Sequence, residues 1–342
     1  MTCVLFYGES AQADASFVEG LLSSVSRRAD EVYRDLGETL VKDLLKTGKD
    51  LFVFGVPPFD VIKTFSEEGK PVDGVFSDGE RVLAYSEGLD ITSLSAVIAK
   101  IKDIFGLSEK RVVFRLYGET GAAVERTLAE LAEGYPFVLP FVTERDRDVR
   151  VDFVLKKDYP PEALDVFLKA FLDRYGSEIY ADEDVGVVER FMAVMKLYGR
   201  KLAVAESMTG GNIAATIVRH AGASEIFYEG LTTYDVRAKF HRLGVKASTV
   251  EKHTVVSGEV AYEMARALVG ENSSVGISVT GYAPSVTPSR SDGLCYIGVA
   301  VDDKTRVYRF VFSGNRETVI KKATTAAIFS ALKLLTENFF ET

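Results

Sequence analysis

Leu202-Ala-Val-Ala-Glu-Ser-Met-Thr-Gly-Gly-Asn212 is the stretch from which the C-terminal half of this chain is read. A short apolar run meets Glu206, Ser207 and Thr209, two glycines follow, and an apolar-periodic segment, Ile213 to Val218, comes next. That order predicts a strand running into a tight turn that opens a helix. Hydroxyls and backbone amides then gather at a helix N-terminus, where partial positive charge favours anions and developing oxyanions. Three readings of Ser207 are open at this point: a nucleophile, a phosphate ligand, or a helix cap.

Working outward, Val185 to Tyr198 has the spacing of an amphipathic helix leading into the turn. Beyond it, Thr232 to Tyr234 is strand-like, and Val260 to Val269 is helical, with Ser257 and Glu259 as capping residues. Val275 to Thr280 is a buried strand that breaks at Gly281. Leu294 to Val301 and Arg306 to Phe312 pair as antiparallel strands across Asp302-Asp303-Lys304, and Thr318 to Leu335 forms a long closing helix. Strands alternating with helices predict a layered α/β domain, expected as three α/β/α layers over 185–342.

The N-terminal half is also α/β. Cys3 to Tyr7 and Asp50 to Val56 have the form of buried strands. Phe17 to Ser26, Val32 to Leu45, Asp60 to Phe65 and Ile91 to Phe105 carry helical spacing. Val72 to Phe76 and Arg81 to Tyr85 flank Ser77-Asp78-Gly79, a hairpin turn signal. From about 106 to 180 a strand-helix-strand-helix module follows, with strands at Arg111 to Leu116 and Val149 to Leu155 and helices at Ala122 to Leu131 and Pro161 to Tyr175. The charge run Glu144 to Arg150 reads as a solvated loop of mixed sign. The whole is a multi-domain α/β chain divided at 1–105, 106–180 and 185–342.

Composition narrows the function. A formal net charge of −9 argues against a general nucleic-acid binder, which needs a basic face. Two cysteines far apart, Cys3 and Cys295, make neither a disulfide framework nor a zinc site, and a reducing, cytoplasmic compartment is expected. No leader or membrane-length segment is evident, so neither a membrane nor a nucleic-acid partner is expected. His220, His241 and His253 are the only histidines and fall outside the turn described above.

Further motifs recur in order: Ala221-Gly-Ala-Ser-Glu-Ile-Phe-Tyr-Glu-Gly230, Thr233-Tyr234-Asp235-Val236-Arg237-Ala238-Lys239, Val256-Ser257-Gly258-Glu259, Val279-Thr280-Gly281 and Ser313-Gly314-Asn315-Arg316. Over about 185–336 this series resembles the C-terminal domain of the CinA (competence/damage-inducible) family. The resemblance implies an amidase cleaving the carboxamide of nicotinamide mononucleotide to nicotinic acid mononucleotide and ammonia, with no metal or organic cofactor. It implies Ser207 as nucleophile, Lys239 as general base and Tyr234 as proton relay or positioning group. It further implies substrate contacts at Glu206, Thr209, Gly210, Gly211, Thr280, Gly281 and Arg316, a small-molecule nucleotide as partner, and a homodimer. The chemistry agrees: amide cleavage needs an activated nucleophile and oxyanion donors. With no histidine in the motifs, Lys239 is the base, provided that desolvation or a neighbouring cation lowers its pKa. The amides of Thr209, Gly210 or Gly211 are the expected oxyanion or phosphate donors.

Two regions depart from the family pattern. Where the family continues Thr-Gly with Ile-Ala-Gly-Pro and a glycine run, this chain has Thr280-Gly281-Tyr282-Ala283-Pro284 and then Ser285 to Gly293. Lost glycines there threaten a close-fitting pocket; Arg290 and neighbouring hydroxyls are the substitutes for gripping a phosphate. Either the substrate is altered or catalysis is lost, leaving a nucleotide-binding or scaffold protein. The N-terminal half lacks the Gly-Gly-Leu-Gly-Pro-Thr-x-Asp-Asp loop of the family's molybdopterin-binding-like domain. Residues 1–105 are therefore expected to be a shortened, inactive version of it, without metal-dependent pyrophosphatase activity.

Overall fold

The computed structural model describes residues 2–7, 22, 31–34, 37–55, 75–77, 82–86, 91–145, 147–285, 289 and 291–340. The chain divides into two compact units, Met1–Glu183 and Asp184–Thr342. Both are mixed α/β.

The first unit opens with β1 (Thr2–Phe6), β2 (Glu31–Arg34), α1 (Glu38–Lys46), β3 (Asp50–Phe54), β4 (Val75–Ser77), β5 (Val82–Ser86) and α2 (Ile91–Ile104). Its five-stranded sheet runs β2-β1-β3-β5-β4, parallel except for β4 at one edge. The helix expected from Val32 to Leu45 is corrected here: Glu31–Arg34 pair with β1, and the helix starts only after Gly37. Four residues are too few for helical spacing to discriminate, and the open sheet edge satisfies their backbone groups. The predicted helices at Phe17 to Ser26 and Asp60 to Phe65 lie almost wholly outside the described residues, as does the turn at Asp78-Gly79. The antiparallel pairing of β4 with β5 is what that turn requires.

A second sheet follows in the same unit. β6 (Leu107–Tyr117), α3 (Gly121–Ala132), β7 (Val138–Arg145), β8 (Asp148–Lys156), α4 (Pro161–Tyr175) and β9 (Ile179–Ala181) give the antiparallel order β7-β8-β6-β9. The reading of Glu144 to Arg150 as a solvated loop is wrong. The run is the end of β7 and the start of β8, hinged at Arg147, whose φ is +68°. Glu144 accepts the Gly121 amide at 2.7 Å, Asp148 pairs with Arg115 at 2.6 Å, and Arg150 pairs with the fully buried Asp152 at 2.8 Å. The partners of Glu144 and Asp148 lie on other elements, so no local pattern announces them. One face of this sheet packs an aromatic core on α3 and α4, where Phe153 meets Phe167 and Phe171 edge-on with ring centroids 4.9 and 5.0 Å apart. Phe153→Ala should destabilise the first unit by about 3–5 kcal/mol, measured as a loss of denaturant midpoint at constant slope.

In the second unit, α5 (Val187–Leu197), β10 (Leu202–Glu206), α6 (Asn212–Val218), β11 (Phe227–Thr232), α7 (Val236–Leu243), α8 (Ala247–His253), α9 (Gly258–Arg266), β12 (Val275–Gly281), β13 (Leu294–Val301), β14 (Lys304–Val311) and α10 (Arg316–Phe340) build around a sheet ordered β11-β10-β12-β13-β14. β11, β10 and β12 are parallel, and the last two strands antiparallel. Alternate residues of β10 divide between two helical layers, with Ala203 and Ala205 packing under Leu243, Val260 and Met264 of α7 and α9. α5, α6 and α10 form the opposite layer, giving three α/β/α layers. α9 lies close on the sheet because small residues admit it: Ser278 Oγ donates to Ala261 O at 2.6 Å, and a Cβ at Gly276 would lie 2.6 Å from Ala265 O. The strand expected at Thr232 to Tyr234 is displaced; β11 ends at Thr232, and Thr233 and Tyr234 connect it to α7. Among the described residues no helix is long and apolar enough to cross a membrane.

Candidate active site

The turn after β10 is built as the glycines dictate. Gly210 and Gly211 have φ of +62° and +101°, left-handed values that favour glycine. Gly210 N donates to Ser207 O at 3.1 Å and Ser207 N to Val279 O at 3.0 Å, so the turn is tied to itself and to β12. Ser207 is half-buried at its start.

Lys239 arrives from α7. A helical side chain leans toward its own N-terminus, which carries the Lys239 amine back to the residues just before the helix. Its Nζ lies 3.0 Å from Ser207 Oγ, 2.6 Å from Thr233 O and 3.4 Å from Tyr234 O. The residue is fully buried. Burial holds the amine below the ordinary lysine range, opposed by the charge of Asp235. Asp235 caps α7 and is itself gripped by Arg237, which holds its carboxyl down at about 2. No carboxylate hydrogen-bonds the Lys239 amine among the described residues.

This arrangement suits a neutral amine. Nζ donates to the carbonyls of Thr233 and Tyr234 and to Ser207 Oγ; in the neutral form, with two N–H groups on the carbonyls, its lone pair would face the Ser207 hydroxyl.

Other expected residues fall differently. Tyr234 is 62% exposed, and its hydroxyl accepts from Arg316 Nη2 at 3.2 Å, while its carbonyl faces Lys239. Arg316, the first residue of α10, also reaches Ala283 O and Pro284 O at 3.4 Å, so it joins Tyr234 to the loop after β12. Thr280, expected to contact substrate, is 1% exposed, and its hydroxyl donates to Val255 O at 3.0 Å. A threonine at a strand end looks the same in sequence whichever layer it faces. Gly281 is required by packing: a Cβ there would collide with Met208 Sδ and lie 2.7 Å from Leu294 O. Gly281→Ala should destabilise the second unit by about 1–3 kcal/mol, read as a lower unfolding midpoint. Arg290 lies outside the described residues.

The amides at the turn also sort differently from expectation. Gly211 N is taken by Glu206 Oε2 at 3.0 Å and Gly210 N by Ser207 O, so neither remains for an oxyanion or a phosphate. Glu206, expected as a substrate contact, is 1% exposed, and its carboxylate caps α6. Thr209 N–H has no acceptor among the described residues, and neither does Met208 N–H, which no sequence motif marks. The hydroxyl of Thr209 is buried with no partner among the described residues. No cluster of metal-ligating side chains occurs among the described residues.

Comparison with known proteins bears on this geometry. Residues 186–335 match the family model of the CinA C-terminal domain. A competence-damage inducible protein of Caldanaerobacter subterraneus subsp. tengcongensis is 32% identical over 280 residues, 81% of this chain and 61% of the relative. One from Clostridium tetani is 30% identical over 289 residues, 82% of this chain and 63% of the relative. The chain thus spans less than two thirds of the length of these relatives. Among solved structures, competence damage-inducible protein A of Klebsiella pneumoniae is 28% identical, with a TM-score of 0.41 over 44% of this chain and 98% of that one. The second unit, which carries the Ser207 turn, Lys239 and Arg316, is therefore a CinA C-terminal domain.

Proposed function

We propose that the second unit is an amidohydrolase using a serine nucleophile and a lysine base, with the carboxamide of nicotinamide mononucleotide as substrate. The observation that carries this reading is the 3.0 Å approach of a buried Lys239 amine to Ser207 Oγ, with only neutral oxygens as its hydrogen-bond partners among the described residues. The substrate is taken from the family resemblance of the motifs.

In this mechanism neutral Lys239 takes the Ser207 proton as Oγ attacks the carboxamide carbon. The oxyanion is stabilised by backbone amides, for which Met208 and Thr209 offer N–H groups that have no acceptor among the described residues. Lys239, now an ammonium, returns the proton to the departing nitrogen, and ammonia leaves. A water then attacks the acyl ester, giving a proton to Lys239, which passes it to the departing Ser207 Oγ as the C–O bond breaks, and the carboxylate product leaves with the serine and the neutral amine restored. No metal is needed in these steps.

Incubation of the purified chain with nicotinamide mononucleotide should yield equimolar ammonia and nicotinic acid mononucleotide. Absence of both would refute the reading. A second reading, a nucleotide-binding protein without turnover, is favoured by the loop after Gly281, which lacks the family's glycines, and by the burial of Thr280. It requires tight binding of the same nucleotide with no product.

A further inference from the structure

We propose that Glu206 is a positioning residue that sets the geometry of both Ser207 and Lys239 and takes no part in holding substrate. The inference rests on the amidohydrolase reading above. Glu206 ends β10, an interior strand, and its side chain is 1% exposed. Its carboxylate crosses the turn and accepts three amides: Gly211 N and Ile213 N at 3.0 Å on Oε2, and Ala214 N at 2.9 Å on Oε1.

The physical need for this is local. α6 has seven residues and begins at a left-handed glycine that offers no side chain as a cap, so its first amides would otherwise be orphaned. The two adjacent glycines also make this turn costly to order. A buried carboxylate accepting charge-assisted hydrogen bonds from beyond the turn fixes it from one anchor point. Ser207, the next residue, inherits that position.

The same residue anchors the base. The backbone carbonyl of Glu206 accepts Thr233 N at 2.8 Å, and the carbonyl of Thr233 accepts the Lys239 amine at 2.6 Å. Side chain and main chain of one glutamate therefore lead to the two members of the reacting pair. With an internal carboxylate on the amides of α6, a negatively charged substrate group is not received there.

The test is Glu206→Gln in the full chain. Gln presents one acceptor and an NH2 group where the carboxylate presented two acceptors, so at least one of the three amides loses its partner. We expect kcat to fall about 100-fold with KM changed less than about twofold, the size that misplacement of a reacting group produces. Labelling of Ser207 by a fluorophosphonate should slow in the same proportion per folded molecule, a readout that a merely structural role would not move. Hydrogen exchange at Gly211, Ile213 and Ala214 should quicken about tenfold relative to the rest of the unit, as loss of one hydrogen bond implies.

An unchanged kcat and labelling rate would overturn the proposal. So would a raised KM with kcat retained, which would make Glu206 a substrate contact. Should Glu206→Gln not fold, Glu206→Asp, one methylene shorter with its charge kept, is read in the same ways. If the unsubstituted protein neither releases ammonia nor labels at Ser207, the amidohydrolase reading fails. The exchange measurement then still decides whether Glu206 pins the turn.

Discussion

Ser207→Ala is expected to lower kcat/KM for ammonia release from nicotinamide mononucleotide by about 10⁴-fold or more, because the covalent path is lost with the nucleophile. The side chain is half-buried and smaller by one oxygen after substitution, so the unit should fold and keep its unfolding midpoint within about 0.5 kcal/mol. The removed hydroxyl is the neutral partner of the Lys239 amine, and the carbonyls of Thr233 and Tyr234 remain to hold that amine. Nucleotide affinity, measured by calorimetry on the variant, should survive. Undiminished ammonia release in Ser207→Ala would discard the serine mechanism.

Lys239→Met should cost about 10³-fold in kcat/KM, the upper part of what a positioned general base contributes. Lys239→Arg should be no better, since a guanidinium stays protonated across the accessible pH range. With Lys239 as the proposed base the working form is the neutral amine, so in the unsubstituted protein kcat/KM should rise with pH through the Lys239 pKa and then level off. Burial lowers that pKa from 10.5, which places the rise below the range of a free lysine. The sign for stability follows from the same shift. Between the folded pKa and 10.5 the unfolded chain binds more protons than the folded one, so stability rises as pH rises through that window. Below the folded pKa both states hold the proton and the dependence vanishes. Lys239→Met should abolish the rise of activity and flatten this contribution to stability, checked by rate profiles and denaturant titrations across pH. A rise of activity retained in Lys239→Met would assign the base elsewhere.

Much of the second unit was legible because its signals are local. Apolar spacing located α5, β10 and α10 closely, and the two glycines after Thr209 marked the turn that they form with left-handed φ. Ser207 and Lys239, 32 residues apart, could be paired from the motif series, and they meet at 3.0 Å. Less was legible where a side chain has two equally plausible neighbours. Thr280 faces Val255, and Glu206 turns onto α6. The first unit shows the same limit in the hairpin at Arg147, where Glu144 and Asp148 find their partners on other elements.

Residue order along the chain is enough for the layered α/β class, the strand-turn-helix around Ser207 and the candidate serine and lysine, because periodicity, glycine backbone freedom and side-chain chemistry act over a few residues. Which groups are available is settled by the folded arrangement. It buried the Lys239 amine among neutral oxygens, occupied the amides of Gly211, Ile213 and Ala214 with Glu206, and left those of Met208 and Thr209 without an acceptor among the described residues. Desolvation and hydrogen-bond occupancy depend on atoms brought together from β10, α6 and the segment before α7, and no spacing along the chain encodes them.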